Sequence, residues 1–225
     1  MTSIAARLTR FSTCDLADSL TKLGINSFIP DVTMRSPLPT ATGSSTRIAG
    51  PAHTVEFVDA NDTTSPKSGV NQVDSAPSGS IVVIKTPHGA INAVWGGLMS
   101  ARAQHLNVAG TIIEGRCRDL NEQYAFNYPL WASGTSTLGV NGYCRVATVG
   151  SAITLAAHTK YPVTVNSKDW IVADIDGVVR VPAERVEEVL TLVAEMEEVD
   201  ALCMQDIKGG RSMAETFKER RKPKM

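Results

Sequence analysis

Two short stretches carry the residue types that could do chemistry together. Trp95-Gly96-Gly97-Leu98-Met99 puts two glycines ahead of a helical-looking segment. Backbone N–H groups at a helix start attract anions, and glycine lets a ligand come close. Gly115-Arg116-Cys117-Arg118-Asp119-Leu120-Asn121-Glu122 follows the β-like run Thr111-Ile112-Ile113-Glu114. Arg118 offers a planar fork suited to a carboxylate. Asp119 offers oxygen ligands for a hard cation such as Mg²⁺, which keeps several waters. Glu122, three residues on, shares a face with Asp119 if the chain turns helically there. From these residues alone two readings stand: a structural Arg118–Asp119 ion pair, or a site for a small carboxylate and a metal ion.

The elements between the two stretches can bring them together. One helix and one strand separate them, and strand-helix-strand is a βαβ unit whose ligands gather at the strands' carboxyl ends. Upstream, Ser80–Lys85 reads as a buried strand and Ile48–Val58 as another. Leu98, Ala101 and Leu106 are expected to share the apolar face of the helix after the glycines. Ser12-Thr13-Cys14-Asp15 caps an early helix that Gly24 stops. Residues 30–46 read as an irregular loop with Pro30, Pro37 and Pro39, with room for short extended pieces. Short β pieces at 145–149, 152–155, 161–165, 170–174 and 177–181 suggest a sandwich or barrel part beside the βαβ part. Pro182 opens the longest helix, over about 183–206, with an apolar stripe and an acidic, solvated remainder.

Bulk properties narrow the function classes. The 225 residues suit one large domain, and a formal net charge of -1 gives nucleic acid no overall attraction. No apolar run is long enough to span a bilayer, and Met1–Phe11 lacks the core of a secretory signal. Cys14, Cys117, Cys144 and Cys203 have no zinc or CxxC spacing, so reduced thiols in the cytoplasm are expected. Cys117 lies beside the candidate site, but no histidine in its motif could activate it. His88 and His105 are read as structural or solvated. The end of the chain, 209–225, reads as a basic solvated tail after a domain spanning 1–208.

Gly97, then twenty positions, then Arg118-Asp119, two positions and Glu122 resembles the motif of the RraA-like family, which includes 4-hydroxy-4-methyl-2-oxoglutarate aldolases. Thr13–Leu20, Gly50–Val55 and Ala173–Pro182 are similar to the family's first helix, early strand and late Asp-Gly-Val-Val turn. The resemblance implies an α/β fold of the swivelling β/β/α kind, one domain with a long C-terminal helix. It implies a homotrimer or hexamer with sites near subunit interfaces. It places a 2-oxo acid on Gly96, Gly97, Leu98, Met99 and Arg118, and a divalent metal (Mg²⁺ or Mn²⁺) on Asp119. Arg118 and Asp119 are then the catalytic pair. Bacterial aldolases of the family carry Asp where this chain has Gly97, so Glu122 is expected to supply the second metal carboxylate. The implied activity is metal-dependent cleavage of 2-oxo acids through a pyruvate enolate: aldolase and oxaloacetate decarboxylase. The proton donor stays open between a water and an acid of a neighbouring chain such as Glu195, Glu197 or Glu198. The alternative is a non-catalytic regulator acting by protein contact, as in the ribonuclease-inhibitor branch. No nucleic acid or membrane partner is expected.

Overall fold

A computed structural model describes residues 2–38 and 46–221. Pro39 and the basic residues Lys222 and Lys224 lie outside them. Helix α1 spans Ile4–Leu8 and α2 spans Thr13–Lys22. Ser12 closes a capping box on α2: its side chain accepts from the Asp15 N–H, and the Asp15 carboxylate accepts from the Ser12 N–H. Strands β1 (Phe28–Ile29) and β2 (Thr33–Ser36) lead to the long β3 (Ile48–Asp59). Then come β4 (Ile81–Lys85), β5 (Ala93–Trp95), α3 (Gly97–His105), β6 (Gly110–Cys117), α4 (Leu120–Phe126) and β7 (Leu130–Thr135). Five short strands follow: β8 (Cys144–Val149), β9 (Ile153–Leu155), β10 (Val163–Val165), β11 (Trp170–Ala173) and β12 (Val178–Val181). A 3-10 turn at Ala183–Arg185 feeds α5 (Val186–Lys208), and α6 covers Met213–Arg220.

The main sheet runs β1-β12-β11-β3-β4-β6-β7-β2, with β5 also on β6 and β8 also on β3. Its centre, β3-β4-β6-β7, is parallel, and its flanks are antiparallel. Strand β3 curls between partners: Ile48–Pro51 pair with β11, Ala52–Glu56 with β4, and Val55–Asp59 with β8. Alternate residues of β4 serve opposite faces. Val82 and Ile84 join Trp95, Ile113, Tyr128 and Leu130 beneath α3 and α4. Ile81 and Val83 join Ile112, Trp131, Leu155 and Val165 beneath the β9–β10 hairpin. A third cluster packs Leu8, Leu16, Leu20, Val189 and Val193 of the outer helices on Val172, Val179 and Val181.

Three expectations need correction. The buried face of α3 is Gly97, Ser100 and Ala103, whereas Leu98 is 89% exposed and Ala101 is exposed. Small residues let α3 lie close to the core, and the bulky Leu98 is turned away from it. Strands β6 and β7 run on to Cys117 and Thr135, because β5 supplies a partner for the end of β6 and that end pairs with β7. The 209–225 tail is helical over Met213–Arg220: Arg220 and Arg211 bind Asp206 of α5, and Arg221 binds Asp200. The acidic side of α5 also holds the N-terminal segment, through Arg7–Glu187 at 2.7 Å and Arg10–Glu197 at 2.9 Å.

Candidate active site

The β5-α3-β6 unit brings the two candidate stretches to one end of the sheet. Trp95 pairs with Cys117, and the Arg118 N–H donates to the Trp95 carbonyl at 2.9 Å. One residue further, the Gly97 N–H donates to Asp119 Oδ2 at 3.0 Å. The start of α3 and the Arg-Asp turn are therefore directly bonded, although twenty residues separate Gly97 from Arg118.

Asp119 adopts φ +61 and ψ 44, the left-handed conformation, as the N-cap residue of α4. That conformation turns the chain off β6 and puts the carboxylate over the start of α3. The N–H groups of Glu122 and Gln123 close onto the Asp119 carbonyl at 3.0 and 3.1 Å. Glu122 thus sits in the first turn of α4, where its charge suits the positive helix end. Its carboxylate lies against the α-carbon of Gly97: a Cβ there would fall on Glu122 Oε2 and stand 3.1 Å from Glu122 Cβ. A Cβ on Gly96 would meet Asp119 Oδ2 and stand 3.2 Å from Arg118 Nε. Both glycines are needed for close approach to side chains, not for an unusual φ.

The backbone cradle is narrower than four free amides. The Gly97 N–H is taken by Asp119, and the Met99 N–H turns back to the Gly96 carbonyl at 3.1 Å. The N–H groups of Gly96 and Leu98 have no hydrogen bond among the described residues. Arg118 Nε stands 3.5 Å from Asp119 Oδ2, with the two side chains 46% and 37% exposed. This is the ion pair foreseen from sequence, but it leaves both groups open to a ligand. The guanidinium lies over Gly139, where a Cβ would stand 3.0 Å from Nη1. Arg118, Asp119, Leu120, Thr135, Ser136 and Thr137 line an open cleft of about 550 Å³.

The donor set fits a hard cation with few protein ligands. The Glu122 carboxylate has no hydrogen bond or ion pair among the described residues, and Asp119 keeps Oδ1 free. Two carboxylates three residues apart, both beside Gly96–Gly97, suit Mg²⁺ or Mn²⁺, which retain waters and substrate oxygens. Among the described residues no group of three or more His, Cys, Asp or Glu gathers to hold a metal.

Other candidates fall away. Burial pushes the Cys117 thiol up to about 11, which keeps it protonated at neutral pH. His88 faces a separate hollow of about 240 Å³ near Lys85 and Arg116, and stacks on His158 with centroids 4.0 Å apart. His105 is exposed at the far end of α3. His53 lies buried in β3 against the Gln72 carbonyl at 3.1 Å, and burial lowers its pKa. Sequence reasoning did not single out Thr135, Ser136 and Thr137, which wall the cleft. It also did not single out Ser100 and Gln123, polar residues that are fully buried behind the site.

Fold and site together define a mixed α/β protein that sets a helix start against an Arg–Asp turn at the carboxyl edge of a parallel sheet. The Aldolase/RraA pattern matches residues 13–180, and the chain belongs to the RraA-like family. It is 28% identical over 192 residues to DlpA of Legionella pneumophila, covering 84% of this chain and 29% of that protein. A Halalkalibacterium halodurans protein with the provisional name 4-hydroxy-4-methyl-2-oxoglutarate aldolase is 26% identical over 144 residues, 64% of each chain. This chain thus spans less than two thirds of either relative. The structure of Streptomyces coelicolor RraAS2, titled an unusual member of the RNase ES inhibitor RraA family, superposes with a TM-score of 0.74. That match has 21% identity and covers 88% of this chain and 93% of the other. The single mixed α/β domain with its curled sheet and long C-terminal helix matches such neighbours. No helix among the described residues is long and apolar enough to cross a membrane.

Proposed function

We propose that the protein is a divalent-metal-dependent carbon–carbon lyase that cleaves 2-oxo acids through a pyruvate enolate. On this reading 4-hydroxy-4-methyl-2-oxoglutarate yields two pyruvates, and oxaloacetate yields pyruvate and CO₂. The observation that carries it is the meeting of three groups on one glycine pair. Asp119 bonds the Gly97 N–H, the unbonded Glu122 carboxylate lies on Gly97, and Arg118 lies beside Gly96.

Asp119 and Glu122 would hold Mg²⁺ or Mn²⁺, which when bound supplies Lewis-acid stabilisation of negative charge on the substrate's oxygens. Arg118 binds the substrate carboxylate with a planar pair of donors. The free N–H groups of Gly96 and Leu98 add dipoles at the helix start. When the bond to C3 breaks, its electron pair delocalises onto the C2 oxygen. Donors fixed in advance favour that charge more than the neutral ketone, which lowers the barrier. In the aldol the C4 hydroxyl gives up its proton as it becomes a ketone, and in both reactions C3 of the enolate takes up a proton to give pyruvate.

The chain's environment belongs to the same proposal. All four cysteines are free, which suits a reducing compartment such as the cytoplasm. Leu98, 89% exposed one residue from Gly97, suits burial against a second copy in a homotrimer or hexamer. The rival reading is regulation by protein contact, and turnover decides between them. Protein with Mg²⁺ or Mn²⁺ is expected to release pyruvate from either substrate, followed by lactate dehydrogenase coupling. EDTA should abolish the activity, and Arg118→Ala and Asp119→Ala should each lower kcat/KM at least about a hundredfold while remaining folded. Absence of metal-dependent turnover of both compounds sinks the lyase reading.

A further inference from the structure

A ring of polar groups runs through the core directly behind the site. Trp95, Ser100 and Gln123 are 1%, 0% and 0% exposed. Trp95 Nε1 donates to Ser100 Oγ at 2.8 Å, and Ser100 Oγ donates to Gln123 Oε1 at 2.5 Å. Gln123 Nε2 donates to the Arg118 carbonyl at 3.4 Å. The Arg118 N–H donates to the Trp95 carbonyl at 2.9 Å, so the ring closes on the residue where it began. The directions are forced, because an indole N–H only donates and a carbonyl only accepts. Gln123 is also held by its main chain: its N–H binds the Asp119 carbonyl at 3.1 Å and its carbonyl accepts from Ser36 Oγ at 3.0 Å.

We propose that Gln123 is a positioning residue that sets the Arg118–Asp119 turn at its working distance from Gly96–Gly97. The inference rests on the lyase reading above. A left-handed conformation strains a non-glycine residue such as Asp119 and persists only where its surroundings over-determine it. Gln123 acts on both sides of that residue, on the carbonyl of 118 through its amide and on the carbonyl of 119 through its N–H. An apolar side chain would fill the same space without the desolvation cost of three buried polar groups. What the polar ring adds is a fixed distance between α3, which starts at the glycines, and α4, which carries Glu122. Gln123 itself is fully buried and does not line the cleft.

Gln123→Met keeps the length and removes both side-chain bonds. Mn²⁺ titrated into the metal-free variant, read by calorimetry, should bind about tenfold or more weakly than to the wild type. Oxaloacetate decarboxylation, measured well below the melting transition, should lose about 10–100-fold in kcat. Tyr128→Phe is the control, because it removes a buried hydrogen bond to Thr111 Oγ1 (2.9 Å) outside the ring. It should lower the melting temperature while leaving Mn²⁺ affinity and kcat in place. A Gln123→Met protein that differs from wild type only in melting temperature overturns the inference and leaves the lyase reading intact. If Gln123→Met does not fold, Ser100→Ala opens the ring at another link and should weaken Mn²⁺ binding several-fold. Unchanged affinity there overturns the inference equally. Wild-type protein that neither binds Mn²⁺ nor turns over a 2-oxo acid removes the lyase reading, and the inference with it.

Discussion

At the scale of residues, Gly97 and Glu122 behave as one unit. The space a side chain at 97 would occupy is filled by the Glu122 carboxylate. Gly97→Ala should therefore displace Glu122 rather than unfold α3. Alanine is the better helix former by about 0.5–1 kcal/mol, and position 97 has no positive φ to lose. The expected outcome is a melting temperature close to wild type with Mn²⁺ affinity and kcat/KM both reduced, about tenfold or more for each. Glu122→Gln should give the same loss of affinity without the steric change. Wild-type affinity in both variants would remove Glu122 from the metal proposal. This pairing was legible only through the resemblance of the spacing of Gly97, Arg118, Asp119 and Glu122 to the family's motif. The commitment of the Gly97 and Met99 amides was not legible. Which N–H is free depends on where the Asp119 carboxylate points, and that follows from a left-handed φ that a non-glycine residue does not announce.

At the scale of elements, the sequence located α2, α3, α5 and the strands β3, β4, β6 and β8–β12, missed α1, β1, β2, β5 and α6, and did not say what each element faces. Capping chemistry is local, so Ser12 and Asp15 marked the start of α2 correctly. Ser12→Ala should cost about 1 kcal/mol, read from denaturant midpoints at unchanged slope. The orientation of α3 is non-local. Its buried Gly97, Ser100 and Ala103 follow from close packing on Trp95 and Gln123, which a hydrophobicity pattern cannot detect. Asp174 shows the same limit. It was legible only as part of a turn, yet it ties three segments together. Its carboxylate accepts from Thr13 Oγ1 at 2.6 Å, Thr13 N–H at 3.0 Å, Asp176 N–H at 3.1 Å and Arg47 Nε at 3.1 Å. Burial acts to raise its pKa, but these bonds outweigh it and the value falls below the ordinary 3.8. The unfolded chain then holds that proton more tightly. The stabilisation is fully present above pH 3.8 and is lost as pH falls through the folded value. Asp174→Asn should lower stability at neutral pH by about 2 kcal/mol and flatten this part of the acid-unfolding curve. A curve with wild-type steepness in that window would show that Asp174 does not carry the effect.

At the scale of the whole molecule, the strongest unspent feature is apolar surface around the site. Leu98 is 89% exposed at the start of α3, Ile91 is 57% exposed in the loop before β5, and Leu138 and Tyr143 are 39% and 42% exposed. The loops that carry Ile91, Leu138 and Tyr143 adjoin one another and reach Arg118, which neighbours the start of α3. The Ala93 N–H binds the Leu138 carbonyl at 2.9 Å, Ile91 and Tyr143 border one hollow, and Gly139 lies under Arg118. A leucine this exposed on the first turn of a helix gains about 1.5–3 kcal/mol on full burial, which folding of one chain leaves unused. Association of copies through this patch would use it and would wall the cleft from solvent. Leu98→Lys puts a charge at the centre of such an interface without touching the monomer's core. Sedimentation at micromolar concentration should show the wild type as a trimer or larger and Leu98→Lys as a smaller species with unchanged circular dichroism. Activity should fall with the assembly and return partly at high protein concentration, because mass action restores the contact. A wild-type monomer, or a Leu98→Lys protein that stays assembled, rules out this face as the interface. If Leu98→Lys stays assembled yet loses activity, Leu98 acts on the bound ligand within its own chain, where the neighbouring Gly97 already meets Asp119 and Glu122.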